Sequence, residues 1–368
     1  MEQDCCAAHA LPRRRLLQGG LAAAALGAAG TRPVAARAGA ATEGTAARAI
    51  DIHAHYYPQA YLEVLAVEGK RYGYDYEKLG DGFAIGPVHY AQKFTDLDQR
   101  LAEMDEIGVE MHALSLTAPM VYFAEPEAQE RLARAWNDAA SAAHQAHPRR
   151  FVALATLPMG DPDRALAELL RASALKGVRG VYLGTNVAGR DLDDPSFTPV
   201  FARIEALGLP VFLHPTNTVG GERLGKSYYL SNLIGNPLDT AIAAAHLIFG
   251  GVLDRFPKLE IALPHSGGVM PILMGRWDHA HRVRPEVKQL PAPPSAYLRR
   301  FTYDTVCHSE AVLKFLIDQV GLERVMLGSD YCFEMGYARP VDVVDGLGLD
   351  AEQRAQVLRG TAAKLLKV

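Results

Sequence analysis

From residue 49 onward the chain repeats one local pattern: a short apolar run, a turn, then a longer segment with helical spacing. The apolar runs are Ala49–His53, Val109–Leu116, Phe151–Leu157, Gly180–Leu183, Pro210–Leu213, Leu259–Leu263, Phe301–Val306 and Arg324–Leu327. Between them Asp96–Ile107, Glu127–Ala146, Asp163–Lys176, Phe197–Leu207, Pro237–Gly250 and Glu310–Val320 read as helices, the first with Asp96 as N-cap. Strands alternating with helices of this length indicate βαβ units and a parallel sheet. Eight strand candidates fit a closed (β/α)8 TIM barrel better than an open doubly wound sheet, and the G-x-G-x-x-G dinucleotide fingerprint is absent.

One stretch breaks the alternation. Arg71-Tyr72-Gly73-Tyr74-Asp75-Tyr76 leads through Gly80-Asp81-Gly82 to Phe83-Ala84-Ile85, a strand, a tight turn and a strand. Residues 60–95 therefore read as a small strand-rich insertion over the barrel mouth, serving as a lid or as a cover for the sheet edge.

The N-terminus reads as an address. Arg13-Arg14-Arg15 precedes a mild Ala/Gly-rich run, and Ala36-Arg37-Ala38 is a cleavage candidate. The run is too short and too glycine-rich to span a membrane. Residues 1–38 resemble a twin-arginine signal, 39–48 a tether, and 49–368 the barrel, so a periplasmic location follows. Without the leader the chain holds 33 basic and 40 acidic residues, a net of −7. With no basic stripe, nucleic acid is not an expected partner, and no membrane span is expected in the mature chain. Of the four cysteines only Cys307 and Cys332 lie outside the leader; both read as reduced.

Chemistry concentrates at the predicted strand ends. His53 and His55 in Ile50-Asp51-Ile52-His53-Ala54-His55 share one side of a strand, so both imidazoles can reach one cation. A second pair, His279-Ala280-His281, has no strand before it and reads as surface. His214, His265 and Asp330 end the fifth, sixth and eighth apolar runs. Each has an ordinary alternative, His214 as a turn residue and Asp330 as a helix cap, but C-terminal strand ends face the active site of such a barrel. Imidazole and carboxylate donors suit Zn²⁺, with Mn²⁺ or Fe²⁺ as alternatives. The fourth strand offers no lysine to bridge two metals, so one divalent metal is expected.

Taken together, Asp51-Ile52-His53-Ala54-His55, Leu213-His214-Pro215, Pro264-His265-Ser266-Gly267-Gly268, Met274-Gly275-Arg276 and Val325–Tyr331 resemble the amidohydrolase superfamily. More narrowly they are similar to its aminocarboxymuconate-semialdehyde decarboxylase-like group. The resemblance covers residues 49–368. It implies His53, His55, His214 and Asp330 as metal ligands, with His265 hydrogen-bonded to a metal-bound water. It also implies Arg276 on a substrate carboxylate, across a dimer interface in some relatives, with Phe333 lining the pocket. The expected partners are a small carboxylic acid and a second copy of the chain.

Departures are local. His265-Ser266-Gly267-Gly268 stands where the group often has His-Gly-Gly-Gly. Tyr331-Cys332-Phe333 replaces Tyr-Pro-Phe. Ile85–Tyr90 lacks the arginine of the named decarboxylase, offering only His89, as a replacement or as a plain loop histidine. His265 and Asp330 as acid–base groups would serve either decarboxylation, the favoured reading, or hydrolysis or hydration of a carboxylate-bearing substrate. A binding protein without turnover is the non-enzymatic alternative. A cation at strand ends with a nearby unliganded histidine argues for catalysis.

Overall fold

A computed structural model describes residues 48–225 and 227–368. The proposed leader, and the tether apart from its last residue, lie outside the described residues. In chain order the strands are β1 (Ala49–His55), β2 (Tyr76–Leu79), β3 (Gly82–Ile85), β4 (Val88–Ala91), β5 (Val109–Ser115), β6 (Phe151–Thr156), β7 (Val178–Gly184), β8 (Asn186–Val187), β9 (Arg190–Asp191), β10 (Val211–His214), β11 (Ile261–Leu263) and β12 (Phe301–Tyr303). Seven form one parallel sheet in the order β1-β5-β6-β7-β10-β11-β12. Most of their residues are buried, as expected for strands covered on both faces.

The eighth stave is not a strand. Residues Arg324–Leu327, expected as one, meet β12 by a single bridge, Tyr303 to Val325, and β1 is bridged farther along the chain, Ala54 to Tyr331. Met326 N–H donates to Tyr303 O at 2.9 Å and Ile52 N–H to Leu327 O at 3.1 Å. The Leu327 N–H turns outward to the Val357 carbonyl, so the ladder cannot continue. At Gly328 a Cβ would come within 2.8 Å of Asp304 Cβ and 3.1 Å of His53 Cβ. Only glycine lets the two sides approach this closely. The result is a curled parallel α/β sheet of the TIM-barrel type, with the eighth position filled irregularly.

The expected helices are present within a residue or a few: Leu97–Glu106, Pro126–Ala146, Pro162–Ser173, Thr198–Leu207, Asn236–Phe249 and Glu310–Val320. Asp96 caps the first, its Oδ1 accepting from the N–H groups of Asp98 and Gln99 at 3.0 Å. Trp136 on Pro126–Ala146 is fully buried and donates Nε1–H to Tyr56 O at 2.9 Å. Truncating such a residue costs about 3–5 kcal/mol.

The insertion holds more than the hairpin read from sequence. A helix, Gln59–Glu68, precedes it and buries Tyr61, Leu62 and Leu65. The sheet has a third strand, giving the antiparallel order β2-β3-β4. Gly82 is obligatory where β3 meets β4, since a Cβ would come within 2.0 Å of Tyr90 O. Phe83 and Tyr90 stack at 5.0 Å, and Tyr57 packs edge-on to both. Tyr90 OH donates to Ala118 O at 3.3 Å, which ties the insertion to the loop leaving β5. Among the described residues, no helix is long and apolar enough to cross a membrane.

Candidate metal centre

His53 and His55 project from β1 to one side, their rings 4.9 Å apart and nearly perpendicular. His214, the last residue of β10, brings its ring within 5.4 Å of His53 and 4.9 Å of His55. Asp330 follows Ser329 with φ of 62° and enters from the irregular stave. Its Oδ1 lies 3.0 Å from His55 Nε2 and 3.4 Å from His53 Nε2. One donor atom from each residue lies within 4.8 Å of all the others, and all four residues are buried. Four tetrahedral donors about 2.0–2.2 Å from one Zn²⁺ are about 3.3–3.6 Å apart, so closure on an ion draws the widest pairs in by about an ångström.

The outer ring nitrogens fix the tautomers. His53 Nδ1 meets Asp304 Oδ2 at 2.7 Å and His214 Nδ1 meets Pro215 O at 3.0 Å. Both partners can only accept, so each Nδ1 carries hydrogen. His55 Nδ1 meets Ser115 Oγ at 3.0 Å, and that hydroxyl donates to Ala54 O at 3.3 Å, so it too accepts from the ring. All three Nε2 atoms are left for the common centre. His53 Nε2 is buried and has no hydrogen-bond partner. A divalent cation is the group that fits this donor set.

The electrostatics agree. Burial raises the Asp330 carboxyl, but the charge of His53 and the neighbouring His265 and His55 rings outweigh it and hold the group well below the usual carboxylate range. Burial opposes a charge on His53, yet Asp330 and Asp304 lift it to about 9. His55 is pushed down to about 4, chiefly by burial, and burial likewise drives His214 well down. The cage calls for a positive charge, which a proton on His53 or a cation can supply.

His265 stands one step out. Its Nε2 is 3.8 Å from Asp330 Oδ2, its Nδ1 is buried without a partner, and its backbone is held at φ 52°. Asp304, which the sequence reading missed, organises this corner. Its Oδ2 accepts from His53 Nδ1 and from His265 N–H at 3.0 Å; its Oδ1 accepts from the Ser266 and Val306 N–H groups at 2.8 and 3.0 Å. A carboxylate behind a metal-facing histidine orients the ring and raises its basicity. Asp51 works similarly on the backbone: Oδ1 accepts from His53 N–H at 2.9 Å and Ser329 N–H at 3.1 Å. Buried Arg100 donates to the His55 carbonyl and lies 4.6 Å over the Tyr331 ring.

The Phe333 ring lies 5.4 Å from His55 and 5.0 Å from Phe94. Arg276 does not enter the centre of its own chain. It is exposed on the helix Met270–Val283 and has no hydrogen bond or ion pair among the described residues. His89 and His279 are exposed, and His281 Nε2 contacts Leu290 O at 3.2 Å. Cys307 and Cys332 are both free thiols. A cavity of about 270 Å³ opens beside the centre, lined by His265, Asp330, Asn232, Asn236, Cys307 and His308 among others.

Comparison with known proteins places this geometry. The amidohydrolase family profile matches residues 50–368. The 2-amino-3-carboxymuconate-6-semialdehyde decarboxylase of Dictyostelium discoideum is 36% identical over 276 residues, 74% of this chain and 76% of that protein. The gamma-resorcylate decarboxylase of Rhodococcus jostii is 30% identical over 321 residues, 79% of this chain and 95% of that protein. The crystal structure of 5-carboxyvanillate decarboxylase from Sphingomonas paucimobilis superposes with a TM-score of 0.77 at 30% identity, covering 88% of this chain and 99% of that chain. These relatives are carboxy-lyases. The chain belongs to the amidohydrolase family and, within it, to the aminocarboxymuconate-semialdehyde decarboxylase-like group.

Proposed function

We propose that the protein is a metal-dependent decarboxylase of a small aromatic or unsaturated carboxylic acid. The observation that carries this reading is the convergence of three Nε2 atoms and the Asp330 carboxylate, with His265 just beyond them at the edge of a cavity. Three imidazoles and one carboxylate suit Zn²⁺ first and Mn²⁺ second. When bound, the cation supplies positive charge that polarises substrate oxygens and makes water more acidic.

The chain's own residues do the rest. Decarboxylation breaks the carbon–carbon bond to the carboxylate, CO2 leaves, and the carbon that keeps the electron pair takes a proton. His265 Nε2 and Asp330 Oδ2, 3.8 Å apart, are the groups placed to hold and move that proton. Phe333 beside His55 gives a planar substrate an aromatic wall. Arg276, exposed in its own chain, is assigned to a substrate carboxylate in the site of a second copy, within a homodimer. Export by the leader, with maturation near Gly39, completes the proposal and rests on Arg13–Arg15, the Ala/Gly-rich run after them and Ala36-Arg37-Ala38.

The test is metal analysis of the purified protein, followed by a panel of aromatic and muconate acids that includes gamma-resorcylate and 5-carboxyvanillate. Metal-dependent CO2 release supports the reading. Hydrolysis of lactones or amides without CO2 from any acid overturns it.

A further inference from the structure

A second and larger cavity, of about 580 Å³, lies between the insertion and the loops that follow β5 and β10. Tyr74, Ile85, Val88 and Tyr90 line it on the insertion side, and Tyr122 and Phe123 face them. Not one Asp, Glu, Lys, Arg or His is among the described residues that line it. Its size is in the range that encloses a whole organic ligand, whereas the cavity at His265 and Asp330 falls just below that range.

The wall of this cavity shares strand-end loops with the metal centre. Thr216, in its wall, is two residues beyond His214. Ala118, also in its wall, follows Thr117, whose Oγ1 is 3.5 Å from His214 Nδ1. Tyr122 OH meets the N–H of Gly184, the residue paired with His214 across β7 and β10, at 3.4 Å. Tyr90 is 6.3 Å from Phe333, which packs on His55. Its wall is thus built on the same two strand-end loops that orient His214, but it presents only uncharged and mostly apolar surface.

Building on the proposed decarboxylase reading, we infer that this cavity receives an apolar or aryl extension of the substrate, so that the preferred acid is larger than a single substituted ring. Its carboxylate would meet the metal centre while its uncharged end lies among Tyr74, Tyr90 and Phe123. An aromatic surface of this kind favours rings over charged or polyhydroxylated groups.

Binding to the metal-loaded protein, measured by calorimetry, tests this without requiring turnover. The probes are gamma-resorcylate and its 4-phenyl and 5-phenyl derivatives. At least one phenyl derivative is expected to bind about tenfold or more tightly than the parent, from the added apolar burial. Val88 is exposed on β4 at the cavity wall, so Val88→Trp fills the space without disturbing the core. It should erase the advantage of the phenyl derivative while leaving metal content and parent affinity unchanged. Tyr74→Ala, which widens the cavity, serves as the second variant and should alter only the phenyl derivatives. Parent binding with no gain for either derivative overturns the inference and leaves the decarboxylase reading intact. A gain that survives Val88→Trp and Tyr74→Ala unaltered also overturns it. Binding of no acid at all overturns both.

Discussion

His53 Nδ1 stands 2.7 Å from Asp304 Oδ2, and the same oxygen accepts the His265 backbone N–H at 3.0 Å. One buried carboxylate therefore fixes both the ring orientation of a metal-facing histidine and the backbone of the residue proposed to move protons. Asp304→Asn keeps the shape but removes the charge. Metal affinity should fall about 10–100-fold, the usual effect of losing such a partner, as read by competition with a chromogenic chelator. Unchanged affinity would reduce Asp304 to a packing role.

Asp330 and His265 should separate cleanly by metal content. Asp330→Ala removes an anionic donor from the cage, so both metal and activity should be lost. His265→Ala should keep most of the metal and lose about 10²–10⁴-fold in rate. Elemental analysis alongside CO2 assays decides the matter. If His265→Ala empties the site as completely as Asp330→Ala, His265 is a ligand.

Chelation should destabilise the fold as well as stop turnover. A ligand that binds only the native state at 100 times its Kd adds about 2.7 kcal/mol. The melting temperature of the chelated protein should therefore drop and recover when Zn²⁺ or Mn²⁺ is returned. A melting temperature indifferent to metal would argue against a cation held by β1, β10 and the Asp330 turn together.

Arg276 is a test of assembly. A lysine cannot reproduce the two parallel hydrogen bonds of a guanidinium on a carboxylate, so Arg276→Lys should raise KM with no change in metal content. If the residue serves a second copy, mixing inactive Arg276→Ala with inactive His265→Ala should restore activity. Random exchange into C2 dimers would return about a quarter of the wild-type rate. No recovery after verified exchange would place Arg276 outside the site.

Cys332 should be chemically silent. Burial, only partly offset by the positive charges of Arg100 and Lys93, pushes its thiol up to about 12, so it stays protonated between pH 6 and 9, and a thiol is a poor nucleophile. Mass spectrometry after iodoacetamide should find it unmodified in the native protein and alkylated after denaturation.

The ligands were legible because each stands at the end of an apolar run, a position that sequence exposes directly. Asp304 directly follows β12 in the structure, but in the sequence it lies inside the apolar run Phe301–Val306 with no metal-like spacing, and its role depends on His53, 251 residues away. The insertion's turn was visible in Gly80-Asp81-Gly82. The helix Gln59–Glu68 was not, because its apolar residues run nearly all around it instead of forming a stripe. The eighth stave failed as a strand for a reason no local pattern carries: the Leu327 N–H is claimed by Val357.

The metal-facing side chains arrive from β1, β10 and the turn at Asp330. The aromatic surface of Tyr74, Phe83, Tyr90 and Phe94 comes from one continuous stretch between β1 and the helix Leu97–Glu106. On the proposed reading, metal binding and one wall of the substrate space are thus encoded in separate parts of the gene. If that reading holds, changes within residues 59–94 would alter which molecules are admitted and leave the four metal-facing residues as they are.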